Sequence, residues 1–433
     1  MLVQRDLLAQ IYPYLERKEY LAIIGPRQAG KTTLLVMIED YLKKKLDVSS
    51  DAIHTITFED LALRTAFESD PIHFINSLRD NSNTVTYVML DEYQYVKDGG
   101  QKLKFIYDTV PGVKMILTGS SSLELQWQVG KYMVGRLLYF YLFPFNFHEF
   151  LVARDSTWQK LYQAHHQKLL SLLQDNNVNK ISNEIDSSYQ KFNQLFETYC
   201  IFGGYPAVAL ESNRVIKERL LRDIYNAFLL RDIKDLLSLA TDRELLRLSQ
   251  FLSTQIGNIV VYQNLSTASG LSFNRLKQHL HILEETFIIS FLRPYFRNKQ
   301  KELSKNPKVY FVDLGLRNSL INNFNEFIQR PDEGQLVENT VWRHLAEFFD
   351  MPGGIHFWRT KSGVEVDFLV EHQGELFPIE VKYTRMKDPR LPRHLKRFID
   401  NYSPRKALVL NHNFWGSSEY NGCMVYFAPV YYL

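Results

Sequence analysis

The chain has 433 residues, 45% hydrophobic, 14% aromatic and 23% charged, with 51 basic against 48 acidic side chains and a formal net charge of +3. That much aliphatic and aromatic surface excludes wholesale disorder, and the length suggests roughly three domains of about 150 residues. Two cysteines, Cys200 and Cys423, exclude a disulfide framework; with no signal-peptide pattern and no apolar run of the ~18 residues a membrane helix needs, a cytoplasmic chain is expected.

Residues 21–25 form an apolar run ending in glycine, and Leu34, Leu35 and Ile38 follow at helical spacing, giving strand, turn, helix. The turn reads GPRQAGKT and fits G-x-x-x-x-G-K-[ST]. Gly25, Pro26, Arg27, Gln28, Ala29 and Gly30 are expected to curl around phosphates, with Thr33 in the helical turn beyond. Lys31 would reach the β- and γ-phosphates, and Thr32 would ligate Mg²⁺. Further β-rich runs at residues 53–58, 84–90 and 113–117, spaced by helical lengths, predict a parallel sheet covered by helices. The second of these ends in Asp91, expected near the Mg²⁺, and Glu92, expected to orient or deprotonate attacking water. The third ends in Thr118, Gly119, Ser120 and Ser121, where Thr118 and Ser120 either sense the γ-phosphate or form a turn.

After Pro144 the character changes. Residues 158–194 are rich in Gln, Asn, Ser and His and read as an exposed insertion, after which Leu220, Leu221, Ile224, Phe228 and Leu229 form a helical stripe. Arg231 is either an arginine finger or an ion-pair partner of Asp232 and Asp235. Residues 264–292 read as a short helix, a turn at Gly270 and a second helix capped by Ser272, with Phe273, Leu276, Leu280 and Leu283 inward. Asn274, Arg275, Lys277, Gln278 and His281 then face outward, as in a helix-turn-helix that enters a major groove. Residues 288–292 and 309–312 would form a wing around Arg293, Arg297, Lys299, Lys301, Lys305 and Lys308. That loop is either a handle for DNA phosphates or a solvated, protein-docking surface.

Residues 362–383 read as two strands around a turn at Gln373 and Gly374. This register sets Asp367 across from Glu380 and Glu365 across from Lys382, on the side opposite Val364, Val366 and Phe368. Opposed like charges destabilise a hairpin unless a shared Mg²⁺ or Mn²⁺ turns repulsion into coordination. Lys382 would orient water or stabilise developing charge, and Glu338 on an upstream helix would add a third carboxylate. Residues 382–406 carry nine Lys and Arg against two acids, either a phosphate-lined approach or a solvated face.

GPRQAGKT, VMLDEYQ, ILTGSSSLEL, VGRLLYFYLFPFNFHEFL, FGGYP, YFVDLGLRNSL and FWRTKSGVEVDFLV with IEVKY together resemble, over nearly the whole chain, the bacterial and archaeal P-loop ATPases of the AAA superfamily that carry a C-terminal domain of unknown function of the DUF4143 type. That resemblance implies ATP hydrolysis, makes Arg136 a γ-phosphate contact, and makes Pro206, with Gly203 and Gly204, an adenine-side motif. Glu338, Asp367, Glu380 and Lys382 resemble the acid-lysine constellation of the restriction-endonuclease-like fold. The expected architecture is α/β: a P-loop ATPase domain at 1–150 with a parallel sheet, a helical lid with a polar insertion at 151–240, a winged helix-turn-helix at 241–325 and an endonuclease-like α/β domain at 326–433. The expected function is an ATP-binding and hydrolysing, DNA-associated ATPase whose ATP state is coupled to the C-terminal nuclease-like domain. The alternative is a nucleotide-dependent switch or scaffold that binds protein, with that domain inactive. Expected ligands are ATP or ADP with Mg²⁺, and Mn²⁺ as an alternative at the C-terminal site; no membrane is involved, and an arginine finger in trans would call for a homo-oligomeric ring.

Overall fold

The computed structural model describes residues 2–79, 85–120, 129–174, 180–228, 242–298, 300, 302, 305–349, 354–372 and 374–433. Ser121, Leu229, Arg231, Asp232, Asp235, Lys299, Lys301 and Gln373 lie outside the described residues. The chain divides into two compact units, the first made of Met1–Phe145, Tyr205–Ala207 and His281–Ile288, the second of Asn146–Gly204, Val208–Leu280 and Ile289–Leu433.

In the first unit β1 (Tyr20–Ile24), β2 (Ile53–Thr57), β3 (Thr86–Asp91), β4 (Val113–Gly119) and β5 (Leu137–Tyr141) form a parallel sheet in the order β2-β3-β4-β1-β5. β1, β3 and β4 are buried along their whole length, which is why they read as unbroken apolar runs rather than alternating ones. Successive side chains of β1 go to opposite faces: Leu21 and Ile23 pack with Leu34, Leu35 and Ile38 of the helix Lys31–Lys45, while Tyr20, Ala22 and Ile24 pack with Leu103 and Ile106 of the helix Gly99–Thr109. Parallel order brings the carboxyl ends of β1, β3 and β4 to one edge, where open α/β sheets bind ligands.

The second unit holds a seven-stranded sheet of β6 (Glu184–Ile185), β9 (Ile355–Arg359), β10 (Glu365–His372), β11 (Glu375–Lys382), β12 (Lys406–Asn411), β13 (Phe414–Tyr420) and β14 (Cys423–Pro429), in the order β6-β13-β14-β12-β11-β10-β9. A separate antiparallel pair, β7 (Ile289–Leu292) and β8 (Lys308–Phe311), precedes it. Leu395, Phe398 and Ile399 on the helix Arg393–Tyr402 pack with Val366, Leu369, Val409 and Val425.

Three expectations change in this unit. The polar segment is not merely an exposed insertion: it contains the helix Gln159–Gln174, whose Tyr162 packs against Tyr432, and β6, which pairs with β13. Residues expected to be lid helices thus pack on the C-terminal sheet, Phe192 stacking on Tyr431. In the helix Phe273–Glu285, Leu276, Leu280 and Leu283 are buried as expected, together with His279 and Ile282, whereas Phe273 is 50% exposed. His279 occupies a core position, with its Nδ1 2.7 Å from the Arg275 carbonyl one turn back. The presumed wing is the buried β7–β8 pair, and Lys308, expected on a solvated loop, is 2% exposed.

Candidate functional sites

Gly25 follows β1 directly, and a Cβ built on it would lie 1.9 Å from the Leu142 carbonyl oxygen, so only glycine lets the loop leave the sheet there. Gln28 and Gly30 take positive φ values of 60° and 98°, curling the loop into the first turn of the helix Lys31–Lys45. Lys31, buried, donates to the Gly25 and Pro26 carbonyls at 3.0 and 3.2 Å, folding back over the cradle. Thr32 donates to Asp91 Oδ2 at 2.7 Å, tying the loop to the end of β3. The other Asp91 oxygen accepts from the Thr118 hydroxyl at the end of β4, and the same Thr118 oxygen accepts the Glu92 N–H at 3.0 Å. Glu92 sits in the left-handed region at φ 56°, which turns its carboxylate toward Gln94. Gln94 also donates to Ser120 at 3.0 Å. Thr32, Asp91, Glu92, Thr118 and Ser120 therefore form one hydrogen-bonded group at the sheet edge.

The β10–β11 hairpin pairs Phe368 with Ile379 and His372 with Glu375, and continuing that register sets Asp367 opposite Glu380, as the two-residue turn requires. Asp367 Oδ2 accepts the Val381 N–H at 2.8 Å. Burial of its carboxyl and the neighbouring Glu380 and Glu338 hold Asp367 well above the usual carboxylate range. Lys382 pairs with Glu380 Oε1 at 2.7 Å and His394 Nε2 lies at the same distance from that oxygen, while among the described residues the buried Glu380 Oε2 has no hydrogen-bond partner. Burial pulls the Lys382 ammonium down, but Glu380 beside it outweighs that and leaves it raised. Glu365 does not pair with Lys382: it is bound by Arg359 at 2.8 Å and Lys308 at 2.5 Å. Glu338 is held by Lys308 at 2.9 Å and Tyr310 at 2.6 Å. Among the described residues no three His, Cys, Asp or Glu side chains converge as a ligand set for a metal ion.

Residues 17–151 match the family described as AAA domain, residues 193–326 a domain of unknown function (DUF8612) and residues 333–423 a domain of unknown function (DUF4143). The chain carries an AAA domain followed by a DUF4143 domain. It is 22% identical over 434 residues to an uncharacterized protein of Haemophilus influenzae, covering 99% of this chain and 98% of that one. An uncharacterized protein of Methanocaldococcus jannaschii is 23% identical over 393 residues, covering 88% and 79%. Among solved structures, a Walker-type ATPase of Pyrococcus abyssi aligns at a TM-score of 0.43 and 16% identity, covering 74% of this chain and 96% of that one. The Aeropyrum pernix ORC1 protein in complex with DNA aligns at 0.32 and 13% identity, covering 75% and 93%.

Not every expected residue reaches the AAA domain's loop edge. Arg136 precedes β5, level with Tyr20 at the start of β1; the strands run parallel, so it lies at the opposite edge, paired with Asp108 at 3.2 Å. Pro206 does lie beside the loop, its Cγ 3.9 Å from where a Cβ on Gly30 would stand. Gly203 and Gly204 serve another purpose, since the buried Asp313 carboxylate accepts the Gly204 N–H at 2.7 Å and leaves no room for a side chain on Gly203. Arg5 carried no sequence signal, yet its guanidinium donates to the Ala29 carbonyl within the loop at 2.7 Å and to Phe143 at 2.6 Å. Arg27 donates to Tyr95 at 2.9 Å. Beyond the AAA domain, Asn274 and Lys277 are exposed, Arg275 is paired with Glu244 at 3.0 Å, and Arg297 lies over the Tyr402 ring at 5.3 Å. No described helix is long and apolar enough to cross a membrane.

Proposed function

We propose that this chain hydrolyses ATP at the edge formed by residues 25–33, 91–94 and 118–120. One observation carries the reading: a single run of hydrogen bonds joins Thr32, Asp91, Thr118 and the Glu92 backbone, so the phosphate loop and both acids are set by the same hydroxyls. A hydroxyl and a carboxylate oxygen 2.7 Å apart make a donor set suited to a hard cation, so Thr32 and Asp91 are the residues that would hold Mg²⁺. When bound there, the ion would neutralise charge on the β- and γ-phosphates. Lys31 supplies a cation to the same oxygens once it leaves the loop carbonyls. Glu92, with its backbone pinned and its carboxylate held by Gln94, orients the attacking water and takes its proton. Lys31→Ala is expected to abolish nucleotide binding, and Glu92→Gln to keep binding while losing turnover. Parental turnover in Glu92→Gln would overturn the assignment.

We further propose that the protein works on DNA, the nucleotide state being coupled to the DUF4143 domain. The support is the exposed Asn274, Lys277 and Gln278 on one helix, and the exposed Arg385, Lys387, Arg390, Arg393 and Arg397 near Lys382. A second reading, a nucleotide-driven scaffold with an inactive nuclease-like domain, is favoured by the ion pairs that already engage Glu338, Glu365 and Glu380. Cleavage of branched, linear and single-stranded DNA with Mg²⁺ or Mn²⁺, with and without ATP, separates them. Activity lost in Asp367→Asn supports the first, and DNA-independent ATPase with no cleavage supports the second.

A further inference from the structure

Lys308 is one of the deeply buried charges among the described residues. Its side chain is 2% exposed, and an isolated ammonium at such a site would cost several kcal/mol. It reaches the acid cluster from β8, outside the β9–β10–β11 meander that carries Glu365, Asp367 and Glu380. Its Nζ lies 2.9 Å from Glu338 Oε1 and 2.5 Å from Glu365 Oε1, with the Phe357 ring centroid 5.4 Å away. The surroundings are arranged around that cation. Tyr310, two residues along β8, donates to the same Glu338 oxygen at 2.6 Å. Gly257, at φ 71°, lets the backbone approach the Glu338 carboxylate so closely that a Cβ there would stand 3.3 Å from Oε2. Arg359 takes the second oxygen of Glu365. Burial works against the charge, yet Glu338, Glu365 and Asp367 outweigh it and hold the ammonium above its ordinary range.

We propose that Lys308 is the resident cation of this cluster, bridging Glu338 and Glu365 where a divalent ion would otherwise bridge them. Glu338 is thereby withdrawn from metal binding, and any divalent ion is confined to the Asp367 and Glu380 side, where Glu380 Oε2 is the open acceptor. The inference rests on the reading of this domain as nuclease-like and is independent of the ATPase assignment.

The test counts Mn²⁺ bound per chain by the electron paramagnetic resonance of free Mn²⁺, on nucleotide-free full-length protein carrying Lys31→Ala so that the phosphate loop holds no nucleotide with its metal. Adding Lys308→Met is expected to create one further ion per chain, and Glu338→Gln in that background to remove it again. Lys308→Arg, which keeps a cation, should bind as the parent does. Glu338→Gln alone should leave the parental stoichiometry unchanged, and this arm does not require Lys308→Met to fold. An ion lost from the parent on Glu338→Gln, or a folded Lys308→Met with no gain, overturns the proposal. ATP turnover of the Lys308 variants with Lys31 restored reports separately on the first unit, so failure there would not be confused with failure here.

Discussion

Thr118 is the pivot of the nucleotide edge, and Thr118→Val tests this with almost no change of shape. The substitution removes one hydroxyl that donates to Asp91 Oδ1 and accepts the Glu92 N–H, in a residue with 0% exposure. A hydrogen bond to a charged group contributes about 1.5–3 kcal/mol and a neutral one about 0.5–1.5 kcal/mol, so the two together amount to about 2–4.5 kcal/mol. Glu92 would also be released from its left-handed backbone, which costs a side-chain-bearing residue roughly 1–2 kcal/mol. If about half of the lost interaction is expressed in the hydrolytic transition state, kcat falls by about 5- to 45-fold. Nucleotide affinity should change by less than about threefold, because Lys31 is held by the Gly25 and Pro26 carbonyls of the loop itself. The assay is steady-state phosphate release beside a fluorescent-nucleotide titration, with Thr118→Ser, which keeps the hydroxyl, as control. Parental kcat in Thr118→Val, or a dissociation constant that rises as far as kcat falls, would refute the reasoning.

Gly25→Ala should weaken nucleotide binding more than tenfold in the same titration, since its Cβ would collide with a backbone oxygen that cannot rotate away; binding within twofold of the parent would contradict the close approach. Asp332→Asn strips the carboxylate from two guanidiniums, Arg317 at 2.6 Å and Arg330 at 2.9 Å, whose side chains are 3% and 0% exposed. Urea denaturation is expected to register a loss of about 3–5 kcal/mol in the second unit, and a loss below ~1 kcal/mol would mean the arginines find other partners. Burial raises the Asp313 carboxyl from 3.8 to about 6. Its folded form therefore keeps a proton that the unfolded chain releases, and its contribution to stability is full below pH 3.8 and declines as pH rises to about 6. Relative to Asp313→Asn, which does not titrate, the parent should lose stability across that window; parallel profiles would contradict it.

The phosphate loop was legible because its chemistry is local: glycines, a lysine and a hydroxyl within eight residues, flanked by a strand and a helix. The β10–β11 register was legible for the same reason, since a two-residue turn fixes every pair behind it. Arg136 misled because its distance from the loop depends on which end of β5 it occupies, and that follows from strand direction rather than spacing. Phe273 fits the apolar period of its helix, yet the helix is one turn longer than its buried face and leaves Phe273 outside, with Lys277 4.6 Å over its ring. Lys308 looked like one more basic residue in a charged loop, because its acidic partners come from residues 30 and 57 positions later. Arg5 could not be found at all, since an arginine that binds two carbonyls leaves no pattern in the residues that accept from it.

The two ends of the seven-stranded sheet bear on how copies of this chain meet. An unpaired outer strand offers a row of N–H and C=O groups to any passing strand. Here β13 is covered by the short β6, and β9 is covered by the segment after β7, where Tyr295 donates to the Phe357 carbonyl and Phe357 donates back to Arg293. Glu184 places a carboxylate on the outermost strand, a further deterrent to docking. Sheet extension is thus closed to a second copy along these covered stretches, and self-association there must instead proceed through side-chain surfaces.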